Sequence, residues 1–410
     1  MTKQLRNKIP QIRFRGFDEK WEEKPIGKVL TETKRSIVLE DNQRYELVTV
    51  RRRNGGVVSR GYLLGRDILV KNYSQLESGD FIISKRQVVH GATGIVPEKL
   101  NKAIVSNEYL VAVGNDKLST EFLTILSSLP DMRQKFFLSS YGVDIEKLFF
   151  DTEDWKKRTV TIPKVSEQSQ ISAYYKELDR VIELHQHKHN KLVTLKQAML
   201  QKMFPQDGAT TPEIRFKGFE GDWTEIKLGN IGSFHRGISY NASNVCESGL
   251  LVLRSSNIQN SKLILNLDLQ FINLNCPEEI MLKKGDIVIC MSNGSKRLVG
   301  KSALCEVNVA TPTTVGAFCS IFRSSNKISP YLLQTNKYFK YLNQLLAGSS
   351  INNLKNTDLC ELVFRVAAEP AEERKVGNYF STLDKLISQH STQLDKLKQI
   401  KSACLEKMFV

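Results

Sequence analysis

The sequence has 410 residues, of which 41% are apolar and 25% charged, enough at roughly 100 to 200 residues per domain for two to four domains and unlike a disordered, collagen-like or wholly coiled-coil chain. Lysine and arginine number 59 against 44 acidic residues, a net charge of +15 that favours a polyanionic partner, nucleic acid first. The seven cysteines (Cys246, Cys276, Cys290, Cys305, Cys319, Cys360 and Cys404) form no C-x-x-C pair, so free thiols in a reducing compartment are expected, with neither a zinc site nor a disulfide framework.

Residues 1–17 mix charged and apolar side chains without a signal-peptide core, and no later stretch approaches an uncharged apolar span; a cytoplasmic protein is expected. Residues 10–21, PQIRFRGFDEKW, recur at 212–223 as PEIRFKGFEGDW. Pro10, Ile12, Arg13, Phe14, Gly16, Phe17, Trp21, Glu23 and Gly27 all find identical partners 202 positions later, where composition alone gives roughly one match. The chain therefore contains itself twice. Between 22 and 163, apolar runs at 45–50, 81–84 and 109–113 read as strands, and a helix is expected after Ser119.

From residue 167 to 203 there is no proline or glycine, and apolar residues recur at helical spacing. Steps of seven pass through Ile171, Leu178, His185, Leu192 and Met199, with a second row at Tyr174, Val181, Lys188, Leu195 and Lys202. Residues 372–409 repeat 167–204 without a gap, giving Val376, Leu383, His390, Leu397 and Cys404 beside Tyr379, Leu386, Gln393, Ile400 and Lys407. This is a heptad seam, interrupted at the same polar place in both copies, where His185 and His390 would fix register. Pro370, Glu372 and Glu373 suit a helix start. Each helix of about 38 residues would run roughly 57 Å, too long for the interior of one small domain. The first must deliver the chain to the second module and the second must return, so an antiparallel pair is expected.

Within the second copy, 250–253, 287–291 and 318–322 read as strands, and Ser329-Pro330 should open a helix. Weak echoes link Gly79-Asp80 with Gly285-Asp286, and Gly142, Ile145 and Leu148 with Gly348, Ile351 and Leu354. The expected organisation is a first module at 1–163, a helix at 164–204, a linker at 205–212, a second module at 213–368 and a helix at 369–410. The fold class is α+β: two mixed α/β modules joined by a long antiparallel coiled-coil pair, with a pseudo-twofold repeat.

Catalytic and metal patterns are near misses. Gly294 to Gly300 with Lys301 and Ser302 has five intervening residues where a phosphate loop needs four, and a strand-like run follows it. His185, His187 and His189 lack a completing acid, and His187 points away from the other two on a helix. No Asp-Pro-Pro-aromatic or Asn-Pro-Pro-aromatic run of an amino-methyltransferase occurs, and the carboxylate-x-Lys pairs around Glu22 and Glu32 lack the preceding Pro-Asp of a nuclease. The chain is expected to be non-catalytic and to hold no metal. What remains is polar, basic loops: Arg51, Arg52, Arg53, Asn54 and Arg60, with Lys85, Arg86, Gln87 and His90, in the first module; Arg254, Ser256, Asn257, Ser292, Asn293, Ser295, Lys296 and Arg297 in the second. Such side chains read base edges and hold phosphates.

The order module, helix, module, helix, with like helices and unlike modules, resembles the specificity subunit of type I restriction-modification systems. The resemblance covers residues 10–409 and rests on the duplicated Phe-x-Gly-Phe-x-x-x-Trp motif (Phe14 to Trp21, Phe216 to Trp223) and on the helices closing in Lys-Met-Phe at 204 and 409. It implies two target recognition domains, each reading one half of a bipartite, asymmetric site in double-stranded DNA. It also implies that the helices act as spacer and as docking surface for two methyltransferase subunits. Those partners would carry S-adenosylmethionine, and motor-nuclease restriction subunits would use ATP and magnesium, with no cofactor on this chain. The Arg51-Arg52-Arg53 triplet has no equivalent in the second module, so the recognition loops do not correspond residue by residue. A duplicated protein-binding scaffold and a solitary nuclease remain the alternatives.

Overall fold

In the computed structural model the described residues are 8–69, 72–347 and 352–410; Gly348 and Ile351 of the weak internal echo lie outside them. The chain divides into two units, residues 1–185 with 393–410, and residues 186–392.

The reason residues 10–21 recur is visible in what they hold. In the first unit Arg13 grips the carboxylate of Glu167 with two hydrogen bonds of 2.7 Å, and the Ile12 N–H donates to the Lys407 carbonyl at 3.0 Å. Phe14 stands edge-on to Tyr174, and Trp21, 2% exposed, meets Phe122 and Phe409 edge-on with centroids 5.9 Å away. Strand Glu22–Pro25 pairs antiparallel with Thr159–Ile162, which leads into the helix Val165–Lys202.

The second unit builds the same frame from its own residues. Arg215 grips Glu372 at 2.7 and 2.8 Å, and the Ile214 N–H donates to the Lys202 carbonyl at 2.9 Å. Phe216 faces Tyr379 and Trp223 meets Phe204 edge-on. Strand Thr224–Lys227 pairs with Val363–Val366 ahead of the helix Pro370–Lys407. The repeated motif is thus a clasp that fastens a module to the start of one long helix and the end of the other. Glu167 and Glu372 are 1% and 0% exposed, and a charge so sheltered persists only with a hydrogen-bonded counter-ion.

Inside the clasps the modules differ. The first carries a four-stranded antiparallel sheet, Leu30–Glu32, Tyr109–Gly114, Phe81–Ser84 and Thr93–Ile95 in spatial order, and a five-stranded sheet containing the hairpin Arg44–Val50 and Val57–Leu64. In the second, Ile287–Cys290 and Cys319–Arg323 lie in a six-stranded sheet, and Leu250–Leu253 in a four-stranded one. All six expected strands are present, with small shifts at their ends. Helix Thr120–Ser127 begins at Ser119, whose Oγ accepts the Phe122 N–H. The helix at Ser329–Leu332 spans only one turn, and the principal helix of this region, Asn336–Leu345, starts at Thr335 instead. The Gly-Asp echo is a shared turn. Gly79 and Gly285 take φ of 91° and 95°, and the buried Asp80 and Asp286 accept a turn N–H while pairing with Arg35 and Arg323.

The long helices run antiparallel where they meet within each unit. In the first, Tyr174 contacts Cys404 and Asp179 accepts from Lys401; in the second, Lys196 pairs with Asp384 at 2.6 Å and Phe204 stacks on Phe380. Of the expected seam, Ile171, Leu178, Val376 and Leu383 are buried, and His185, Leu192, Met199, His390, Leu397 and Cys404 are half-buried. The second row departs from expectation: Leu195, Leu386 and Ile400 are 40%, 37% and 46% exposed, and Lys188 and Gln393 are exposed too. Tyr175 and Phe380 are buried instead, because there the helices pack on the module cores, which selects a 3.6-residue face over a strict heptad.

Candidate nucleic-acid interface

In the first unit the loop after strand Arg44–Val50 closes through an Arg51 N–H bond to the Gly56 carbonyl. Arg53 and Asn54 take left-handed φ of 58° and 55°, uncommon for arginine. That conformation docks the loop on the turn following Phe81–Ser84: the Arg53 and Asn54 N–H groups donate to the His90 and Gly91 carbonyls at 2.7 and 2.9 Å. Arg52 donates to Glu146 Oε2 at 2.8 Å, and His90 Nε2 lies 3.4 Å from Glu146 Oε1. Asn54, with its amide turned to satisfy both neighbours, donates to the Gly91 carbonyl and accepts from Arg133. Arg52, Arg53, His90, Arg133 and Glu146 line a depression of about 580 Å³.

Lys85 caps the Asn107 carbonyl, and Arg86 donates to Glu108 with its guanidinium over the Phe149 ring. Gln87 is half-buried, with its side-chain oxygen lacking a hydrogen-bond partner. Arg51 is exposed. Arg60 is the extra residue of a bulge: Leu47 pairs with Gly61 and Val48 with Ser59.

In the second unit Arg254, Ser256, Ser292 and Asn293 line one cavity of about 820 Å³, together with Tyr240 and Phe318. Arg254 and Ser256 both donate to the Asp268 carboxylate. Asn293 donates to Ser255 Oγ at 3.0 Å and accepts from the Ser295 N–H. Lys296 caps the Leu346 carbonyl, and Arg297 is exposed. Asn257, expected at the surface, is 1% exposed. Its amide oxygen accepts the Arg254 N–H and its nitrogen donates to the Ile264 and Leu267 carbonyls, so it builds the loop instead of facing a ligand.

Sequence reasoning missed Arg133, Glu146, Tyr240, Asp268 and Phe318. Phe318 carried a signal that was read wrongly: it belongs to the apolar run assigned to a strand, but pairing begins at Cys319 and leaves Phe318 in the turn, 68% exposed. Burial pushes the Cys319 thiol up to about 12, so this cavity wall offers no thiolate at neutral pH. Among the described residues no group of three or more His, Cys, Asp or Glu side chains is placed to hold a metal, and no helix is long and apolar enough to cross a membrane. The two sites present guanidinium and amide groups, with hydroxyls and the Tyr240 and Phe318 rings in the second, in concave settings, suited to base edges and phosphate oxygens.

A family model described as type I restriction modification DNA specificity domain matches residues 18–194, the first module with most of its helix. The type I restriction enzyme StySPI specificity subunit of Salmonella potsdam is 30% identical over 187 residues, and the EcoKI specificity subunit of Escherichia coli (strain K12) is 32% identical over 187. Over residues 18–194 the chain is thus similar to the specificity domain of type I restriction-modification systems. Those alignments take in 43% of this chain and 40% and 39% of the two relatives, so the chain spans about two fifths of the length of each. For the fold, the crystal structure of the type I restriction-modification S subunit from M. genitalium covers 98% of this chain and is itself covered to 99%, with a TM-score of 0.64 at 15% identity. At that identity the likeness is one of fold alone, and it takes in both modules.

Proposed function

We propose that this chain supplies DNA sequence specificity to a type I restriction-modification complex, each module reading one half of a bipartite, asymmetric site. The observation that carries this reading is one frame used twice around unlike loops: the Arg13–Glu167 and Arg215–Glu372 clasps match, while the residues at the concave surfaces do not. A repeated frame with variable loops presents two different readers in equivalent settings. In this reading the helices set the distance between half-sites and dock two methyltransferase subunits. The helices leave Leu184, Leu195, Leu386 and Ile400 exposed, apolar side chains that a docked subunit would cover. The chain itself is non-catalytic; S-adenosylmethionine belongs to the methyltransferases, and ATP with magnesium to motor-nuclease subunits.

Methylation mapping of a genome expressing the chain with its methyltransferase partner tests this directly. A bipartite motif that changes in one half only when residues 30–160 are exchanged for another family member's module is the expected result. A change in both halves, or methylation independent of the chain, would refute it.

A further inference from the structure

One arginine in each candidate loop is paired with a carboxylate from a different segment. Arg52 is held by Glu146, which reaches it from a different segment and also approaches His90. Arg254 is held by Asp268, which reaches across from the loop beyond Asn257 and engages Ser256 as well. Both carboxylates are about half exposed, 52% in each case, and ion pairs so open to water add little to folding stability. Asp268 nonetheless occupies the left-handed region at φ 54°, an uncommon conformation for a residue other than glycine. Two unrelated loops thus spend a carboxylate, one with backbone strain, on the same arrangement. Each also keeps a sheltered nitrogen without a hydrogen-bond acceptor, His90 Nε2 in one and Arg254 Nε in the other.

We infer that Glu146 and Asp268 are specificity-determining positioning residues: each fixes the plane of its arginine, Arg52 or Arg254, so that the guanidinium reads a guanine edge in its half-site. The inference rests on the DNA-reading function proposed above. A guanidinium recognises guanine by aligning two donors with O6 and N7, a geometry that a mobile side chain reaches only by losing rotamer freedom. A carboxylate on the far side supplies that alignment in advance and leaves the other edge for the base. It also cancels the charge that would otherwise let any phosphate capture the arginine, lowering attraction to DNA in general.

The test uses the assembled complex with its methyltransferase partner and the DNA site obtained by methylation mapping. Binding is measured to that site, to copies carrying 7-deazaguanine in one half or the other, and to unrelated DNA over a range of salt. Wild type should lose about tenfold in affinity for deazaguanine in either half, the magnitude of a single base-edge interaction. Glu146→Gln should abolish that sensitivity in one half only, and Asp268→Asn in the other only. Both variants should bind unrelated DNA more tightly, with a salt slope steeper by about one, at unchanged melting temperature. Salt-dependent wild-type binding that ignores deazaguanine, or either variant retaining wild-type discrimination and slope, overturns the inference alone. A wild-type complex that does not bind DNA overturns the functional reading and this inference with it.

Discussion

At the scale of single residues the arginine triplet is the most direct test of charge. Arg51, Arg52 and Arg53 are all exposed, and replacing the three by alanine should weaken DNA binding and flatten its salt dependence by about one unit of slope for each phosphate no longer neutralised. Titration of affinity against salt checks this; an unchanged slope would mean that the triplet is merely solvated. A different outcome is expected at Glu373. Its place in the first turn of a helix favours an ionised carboxylate, yet burial outweighs the hydrogen bonds from Asn326 and the Lys327 backbone and raises its pKa above the ordinary value. A raised folded-state pKa means that this group's contribution to stability is fully present below the unfolded carboxylate range and is lost as pH climbs through the folded value. Glu373→Gln should therefore be more stable than wild type at pH 7, with the difference closing toward pH 4. Denaturant unfolding at the two pH values measures it, and a destabilised variant at pH 7 would contradict it.

Elements were legible where burial left one solution. The runs at 81–84, 250–253 and 287–290 are buried along their whole length, and apolar character alone located them. The clasp was legible as a repeat but not as a mechanism, because its partners Glu167 and Glu372 lie more than 150 positions away from Arg13 and Arg215. Loop residues were least legible: Asn257 and Ser256 are adjacent and chemically alike, and only the fold turns one inward. The second helix row departed for a related reason, since a heptad count treats a partner helix and a module core as the same surface. Truncating the clasp ring should distinguish its two copies. Phe204 is 3% exposed against Trp223, so Phe204→Ala should cost about 3–5 kcal/mol. Phe409 in the equivalent place is only half-buried, and Phe409→Ala should cost less. Thermal unfolding of the two variants checks the order.

For the whole molecule the central expectation is that helix length determines the spacer between half-sites. Deleting 182–188 and 387–393 removes one heptad from each helix while leaving the Asp179–Lys401 and Lys196–Asp384 pairs intact. Each helix shortens by roughly 10 Å, about three base pairs at 3.4 Å each, and one half-site turns by nearly a third of a helical turn relative to the other. The preferred spacer should shorten, or specific binding should fail for want of rotational phase. Selection from a spacer-randomised DNA library would read this out, and an unchanged spacer at full affinity would show that the helices do not measure the site.

The division of the chain also dictates an order of assembly during synthesis. Residues 186–392 are contiguous, so one unit has every part it needs once that stretch has left the ribosome. The other must wait: Met408 lies in the same core as Trp21, and Phe409 packs against it. The module translated first is thus the one completed later, holding an unfilled aromatic socket while more than 200 further residues are made. Ribosome-held chains that end at residue 392 and carry a linker long enough to clear the exit tunnel should show protease resistance in the later-made unit and cleavage in the earlier one. The face of Trp21 that Phe409 covers stays open to unwanted contacts for most of the translation.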